Sequence, residues 1–348
     1  MAETIFRIAL SHDFRQPDGT AAIAGFDLRR LEQHPRIELT YLDPCEELSH
    51  KQLVGINALI LMWPRVTAAS LKGADVLSVI ARFGAGFDNV DLEAAAAAGI
   101  AVTNTPDAVR RPVAVAIMTV LLALSSQLFE RERSVRERRW DTVYQTLGIG
   151  LVGRTLASLG MGNIGTEVFR LAQPFNMRLI AHDPYVDPSL AKGLGVELTG
   201  LDDVFREADF LSISVPLLPE TRGIVSADRI ALMKPTAFLI NTARGAVVDQ
   251  AALTRALKER RLAGAALDVF EKEPLDPDDP LHDLDNVILT PHVLCETDQL
   301  QRGIGDSVVN SVLASMSGEV PQYIVNRAVV DSPVFKRKID ANRMTFAR

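Results

Sequence analysis

The sequence has little cysteine. Cys45 and Cys295 are its only two, too few for a disulfide framework, so a reduced, cytoplasmic setting fits best. It also lacks a basic excess. A net charge of −7 argues against nucleic acid or an anionic membrane as a main partner. The Arg-rich run Arg131–Arg139 is interleaved with Glu132 and Glu137 and reads as a solvated helix face. No basic flank precedes the short apolar run Ile5–Leu10 after Met1-Ala2-Glu3-Thr4, so no signal peptide is expected. No stretch is expected to be apolar enough to span a membrane. Val113–Leu124 comes closest and reads as a buried helix. No metal site and no solenoid repeat are expected.

What is present is ordinary in bulk and specific in pattern. The 348 residues, 47% hydrophobic and 23% charged, are long for one core, so two domains are expected. Short apolar runs alternate with helical patterns throughout, which predicts an α/β fold with parallel sheets. In the first third, strands are expected at Phe6–Leu10, Ile37–Tyr41, Ala58–Met62, Val76–Ile80 and Ile100–Thr103, with helices or turns at Ala22–Glu32, Ser70–Gly73 and Leu92–Ala98. Thr105-Pro106 and Pro112 mark a boundary before a long helix from Val113 to about Arg138. Six more strands are expected at Thr155–Leu159, Arg178–Ala181, Phe210–Ser214, Ala237–Asn241, Ala265–Leu267 and Val287–Leu289. A last helix, about Asp298–Met316, is expected to precede an extended tail.

The most specific stretch is Gly160-Met161-Gly162-Asn163-Ile164-Gly165, between the apolar run Thr155–Leu159 and a helical run ending at Ala172. A second apolar run ends in His182-Asp183. A strand, a Gly-x-Gly-x-x-Gly turn, a helix, a strand and then an acid form a dinucleotide-binding fingerprint. Gly160 permits the tight turn, Gly162 lets the backbone approach a pyrophosphate, and Gly165 lets helix and strand pack closely. The helix N-terminus at Asn163 and Ile164 offers N–H groups to phosphates. Asp183 is placed to accept from the ribose hydroxyls.

Four more segments lie where loops leave the C-terminal ends of strands: Val215-Pro216, Asn241–Gly245, Asp268–Pro274 and Thr290-Pro291-His292. They put Arg244, Glu273 and His292 along one sheet edge. Chemistry on a 2-keto acid calls for this set. An Arg fork holds the carboxylate and polarises the carbonyl, and a His moves the proton. A neighbouring carboxylate keeps that His protonated near neutral pH.

These segments, with Arg82-Phe83-Gly84-Ala85-Gly86-Phe87-Asp88-Asn89-Val90-Asp91, resemble the D-isomer-specific 2-hydroxyacid dehydrogenase family from about Ile5 to Asn326. The resemblance implies two Rossmann-like domains with the active site in the cleft between them. A discontinuous substrate-binding domain would hold residues 1–107 and 297–348, and an NAD-binding domain residues 108–296. It implies Arg244 as the substrate-binding residue, His292 as proton donor and acceptor, and Glu273 as its partner. Asp268 is implied near the nicotinamide; Val215, Pro216, Thr221, Thr242 and Ala243 line the NAD cofactor. The N–H groups of Gly84, Ala85 and Gly86 would hold the substrate carboxylate. It also implies a homodimer with the long helix near its interface.

The family suggests several activities. The leading reading is reduction of glyoxylate or hydroxypyruvate. A phosphoglycerate dehydrogenase, a dehydrogenase of another small acid such as formate or phosphite, and an NAD(H)-sensing corepressor are the alternatives. No regulatory domain of the kind that long phosphoglycerate dehydrogenases carry is expected after Asn326. Relatives acting on phosphorylated substrates often carry an Arg where this chain has Met62-Trp63-Pro64-Arg65. Val293-Leu294-Cys295 is bulkier than is common in the family after the His.

Overall fold

The computed structural model describes residues 4–140 and 147–346. Met1, Ala2 and Glu3, on which part of the N-terminal expectation rests, lie outside them, as do the last two residues of the expected substrate domain. The chain divides into two compact units, one of Met1–Val109 with Glu296–Arg348, the other Arg110–Cys295.

The first unit holds β1 (Phe6–Leu10), β2 (Ile37–Tyr41), β3 (Ala58–Leu61), β4 (Val79–Arg82) and β5 (Ala101–Thr103). They form one parallel sheet in the order β2-β1-β3-β4-β5. β3 and β4 are buried at every position, because a parallel sheet covered on both faces takes continuous rather than alternating apolar runs.

Three local expectations shift here. Only Arg29–Glu32 of the expected Ala22–Glu32 helix is helical. Gly25 sits at φ +85, and the Asp27 carboxylate accepts the Arg29 N–H at 2.9 Å, which starts the helix late. The fourth strand begins at Val79, not Val76, because Leu77 N–H donates to Ala74 O and holds Val76-Leu77 in a turn. The tail is not extended. Pro333–Phe346 is a helix whose buried residues are Phe335, Ile339, Asn342 and Phe346, spaced for one helical face.

That helix is tied down by polar contacts as well as apolar ones. Asn342 Nδ2 donates to Ser78 Oγ and to Ser315 O at 3.2 and 2.9 Å. Lys338 Nζ donates to the carbonyls of Leu77 and Ala98, each at 2.8 Å, and to that of Ala74 at 3.3 Å. Burial pushes the Lys338 ammonium down to about 8. The Phe346 ring meets Phe6 edge-on at 5.2 Å.

Among its described residues the second unit carries seven strands rather than six: β6 (Thr155–Leu159), β7 (Arg178–His182), β8 (Val196–Leu198), β9 (Phe210–Ile213), β10 (Phe238–Asn241), β11 (Gly264–Leu267) and β12 (Val287–Leu289). The added strand, β8, has three residues on the sheet edge and no apolar run to announce it. The parallel order β12-β11-β10-β9-β6-β7-β8 reverses direction between β6 and β9, the switch point at which such sheets bind ligands. Two apolar clusters cover its faces. Ala157, Leu159, Leu211, Ile213 and Leu239 face one; Leu156, Phe210, Phe238 and Ile240 face the other, with Phe169. Burying a side chain of Phe169's size contributes about 1.5–3 kcal/mol.

The long helix begins seven residues earlier than expected. Pro106–Ser126 is continuous, with Pro112 inside it, and a second helix, Leu128–Arg136, follows Gln127 at φ 53. Pro106 opens the helix without penalty because the first helical N–H has no partner in any case. Contrary to the sequence expectation, this helix of 21 residues is long and apolar enough to cross a membrane, yet 61% of its most apolar window is buried inside the protein. Ile117 and Leu121 are fully buried in the second unit's core.

Candidate active site

β6 feeds directly into the glycine turn. Gly160 sits at φ +94, and a Cβ there would lie 2.7 Å from Ser214 O, just past the end of β9 across the switch point. A Cβ on Gly165 would lie 2.5 Å from Gly160 O. Both positions therefore exclude any larger residue. Gly162 differs: a Cβ there would meet nothing within 4 Å. Its bare backbone faces open space just before the helix Asn163–Ala172, whose first N–H groups have no carbonyl one turn back. An open, side-chain-free backbone at a helix N-terminus fits a dinucleotide pyrophosphate.

β7 lies beside β6 with Leu159 paired to His182, which brings Asp183 to the turn. Asp183 Oδ2 accepts the Met161 N–H at 2.7 Å. Oδ1 accepts the N–H groups of Tyr185 and Val186 at 2.9 and 3.2 Å. The carboxylate thus shapes the turn. After β9, Val215 and Pro216 open the next loop. Thr221, expected to line the cofactor, bonds its hydroxyl within its own loop: Oγ1 donates to Pro216 O at 2.6 Å and accepts the Leu218 N–H at 2.8 Å.

The loop after β10 is built by Asn241. Its Oδ1 accepts the Ala243 N–H, and its Nδ2 donates to Arg244 O, each at 3.0 Å. Arg244 Nη1 donates to Ala243 O at 2.8 Å. The next residue, Gly245, lies against the loop that follows β11. A Cβ there would come within 1.8 Å of Phe270 C and 2.3 Å of Glu271 N. The Arg244 loop and the Glu273 loop are therefore packed backbone to backbone.

His292, after β12, sits at φ 59. Its Nδ1 lies 2.7 Å from Glu273 Oε2. An ionised carboxylate only accepts, so Nδ1 carries the proton and donates it. Glu273 Oε1 accepts the Phe270 N–H at 3.0 Å. Burial pushes the Glu273 carboxyl up. The His292 hydrogen bond, the Phe270 N–H and the charges of His292 and Arg244 outweigh burial and hold it below the ordinary carboxylate value. Arg244, Glu273 and His292 are thus brought together electrostatically, and the last two touch.

Asp268, 4% exposed, stands beneath the His292 turn. Its Oδ1 accepts the Thr290 hydroxyl at 2.7 Å and the Val293 and Leu294 N–H groups at 3.1 and 3.2 Å. The resemblance alone, which puts this residue near the nicotinamide, does not reveal that arrangement. Among the described residues no cluster of His, Cys, Asp or Glu could hold a metal.

In the first unit, the Gly84-Ala85-Gly86 loop leaves β4 with Gly84 at φ +127. Thr105 N–H donates to Gly84 O at 3.1 Å, and Asn104 Nδ2 to Ala85 O at 2.8 Å. Asn104, Arg82 and Asn89 hold this loop, although the sequence reading assigns none of them a role; the signal was the position of the last two at either end of the glycine motif. Met62 N–H donates to Ser11 Oγ and Trp63 N–H to Asp13 Oδ2, at 3.1 and 3.3 Å. Arg65 pairs with Glu47 at 3.2 Å.

Residues 118–293 match the family model described as the D-isomer specific 2-hydroxyacid dehydrogenase NAD binding domain. A glyoxylate reductase from Korarchaeum cryptofilum is 37% identical, over 87% of this chain and 93% of that one. A D-3-phosphoglycerate dehydrogenase from Methanocaldococcus jannaschii is 38% identical over 86% of this chain, which spans 57% of that protein's length. The crystal structure of an NADPH-dependent glyoxylate/hydroxypyruvate reductase from Sinorhizobium meliloti, in complex with NADP and malonate, aligns with a TM-score of 0.79. It is 30% identical and covers 93% of this chain and 98% of that one. With the glycine turn, the Arg244 loop and the His292–Glu273 pair in place, the chain belongs to the D-isomer-specific 2-hydroxyacid dehydrogenases, NAD-dependent oxidoreductases that act on the CH–OH group.

Proposed function

We propose that the chain reduces a small, unphosphorylated 2-keto acid, glyoxylate or hydroxypyruvate, to the D-2-hydroxy acid. The observation that carries this reading is the His292 Nδ1 to Glu273 Oε2 hydrogen bond of 2.7 Å. With Nδ1 committed to Glu273, Nε2 is the ring nitrogen that gives a proton to the carbonyl oxygen in reduction and takes it back in oxidation. NAD(H) supplies or accepts the hydride at the substrate carbon. Arg244 holds the carboxylate and polarises the carbonyl. The N–H groups of Gly84, Ala85 and Gly86 add donors to that carboxylate. The Gly160–Gly165 turn, with Asn163 and Ile164, holds the pyrophosphate, and Asp183 the ribose. Val215, Pro216, Thr221, Thr242 and Ala243 line the cofactor, and Asp268 sits beside the nicotinamide. In this scheme residues 108–296 bind NAD, and 1–107 with 297–348 bind substrate.

The relatives support the substrate class. Phosphate is disfavoured because Met62 and Trp63 offer it no cation, and because Arg65 is engaged by Glu47. NADH is favoured over NADPH because Asp183 repels a 2′-phosphate and Pro184-Tyr185 offers no cation in return. One kinetic experiment checks all three: reduction of glyoxylate, hydroxypyruvate and 3-phosphohydroxypyruvate with NADH and with NADPH. The expected order is unphosphorylated over phosphorylated acid and NADH over NADPH. Equal efficiency with NADPH contradicts the cofactor assignment. A preference for the phosphorylated acid, lost on Arg65→Ala, contradicts the substrate assignment. NADH binding with no turnover of any keto acid favours a sensor instead.

We also propose a homodimer in a reducing cytoplasm. Val115 and Leu122, two turns apart, and Leu128, Phe129 and Val135 expose apolar side chains along the two consecutive helices, a surface that suits a second copy. Light scattering is expected to give the mass of two chains, falling to one in Phe129→Glu; a monomeric parent protein contradicts the proposal. Cys45 and Cys295 are both free, and cell fractionation checks the compartment.

A further inference from the structure

Two side chains hold the Gly84–Gly86 loop in a way that the chemistry above does not use. Arg82 is the last residue of β4 and is 7% exposed. Its Nε donates to Asn89 Oδ1 at 3.1 Å, and its Nη1 donates to Phe83 O, the carbonyl just before the glycines. The same Nη1 lies 3.5 Å from where a Cβ on Gly84 would stand, so a guanidinium packs directly under the loop. Asn89 closes the far end. Its Nδ2 donates to Met62 O at 3.0 Å and to Pro64 O at 2.9 Å. Its own carbonyl accepts the Val66 N–H at 2.8 Å.

The arrangement is a clasp. One amide joins the loop after β4 to the loop after β3. It uses its oxygen on the buried cation and its nitrogen on the carbonyls of Met62 and Pro64, with that of Trp63 farther off at 3.5 Å. Glycines are soft, and their N–H groups point wherever their flanks direct them. Here both flanks are set by charged or bidentate contacts, which are the stronger kind of hydrogen bond.

We infer that Arg82 and Asn89 are positioning residues for substrate recognition. Together they aim the Gly84–Gly86 N–H groups at the substrate carboxylate and place positive charge beneath them, while the Met62–Pro64 loop is held at a fixed distance alongside. This rests on the assignment of that loop to the carboxylate. The clasp acts on binding of the keto acid, not on the proton or on NAD.

The test is steady-state kinetics on Asn89→Ala and Asn89→Asp, with NADH affinity and the Ki of oxamate, an unreactive 2-keto acid mimic, measured in parallel. Asn89→Asp keeps the acceptor for Arg82 and loses the bonds that Nδ2 donates to the loop after β3, so it separates the halves of the clasp and guards against a misfolded alanine variant. Loss of a charge-assisted contact predicts a rise in KM on the order of tenfold in Asn89→Ala. The oxamate Ki should rise in step, with kcat and NADH affinity held within about threefold. Asn89→Asp should fall between that variant and the parent. An unchanged KM and Ki in either folded variant overturns the inference. So does a parallel collapse of kcat, NADH affinity and thermal stability in both variants, which marks a purely structural role. A parent enzyme that turns over no keto acid defeats the proposed function itself, before any variant is compared.

Discussion

Replacing His292 with alanine lowers turnover of the keto acid by about 10²–10⁴-fold, the range for a positioned general acid, and leaves NADH affinity within a fewfold. The split follows from the geometry. The His292 ring meets Glu273 through Nδ1, whereas the turn itself is held from below by Asp268, which binds the backbone of Val293 and Leu294 and the hydroxyl of Thr290. Removing the imidazole therefore removes the proton carrier and leaves the loop supported. Glu273→Gln should cost less. The amide oxygen can still accept from Nδ1 and keep the ring oriented, but the negative charge that stabilises an imidazolium is gone. Glu273 is held below the ordinary carboxylate value by His292, the Phe270 N–H and Arg244 against the pull of burial. Its stabilising contribution is thus full above the ordinary carboxylate range and is lost only as pH falls through the lowered folded value. Rapid kinetics with NADH fluorescence titration checks the first result. Turnover that survives within a fewfold in His292→Ala places the proton donor elsewhere.

Gly245→Ala destabilises the second unit by about 3 kcal/mol, at the upper end of the cost of overpacking. The added methyl would fall 1.8 Å from Phe270 C and 2.0 Å from Phe270 O. Those atoms are backbone and cannot rotate away. Phe270 N–H is bound to Glu273, so any shift that relieves the clash also moves the partner of His292. Turnover should fall along with stability, because Arg244 precedes the glycine and Glu273 lies just beyond the displaced backbone. Gly150→Ala, where a Cβ meets nothing within 4 Å, is the control. Urea unfolding of the two variants checks the difference. Equal stability of both would mean that the two loops are not packed as described.

Much of this fold is legible in the sequence for a plain physical reason. β6 and the helix Asn163–Ala172 occur where expected to the residue, and the helix Asp298–Met316 about where expected, because apolar runs punctuated by glycine leave little choice. β8 escapes notice because an edge strand of three residues buries only Val196. The C-terminal helix escapes because its face is interrupted by Asn342, a polar residue that is buried only because Ser78 and Ser315 O accept from it. At the site, residue types at the strand ends announce Arg244, Glu273 and His292. They do not announce which lone pairs are already taken. That Asp268 supports the His292 turn depends on contacts between segments far apart in sequence. The Arg82–Asn89 clasp is of the same kind.

The central claim is hydride transfer to one face of the carbonyl carbon of a small 2-keto acid, which sets the D configuration at C2, with the proton delivered to the carbonyl oxygen by His292. Hydroxypyruvate reduced with NADH carrying deuterium at the transferred position, followed by chiral analysis of the product, tests it most directly. The account predicts D-glycerate with the deuterium at C2, formed by the parent protein and lost in His292→Ala. L-glycerate, or oxidation of NADH without deuterium appearing at C2, would contradict it.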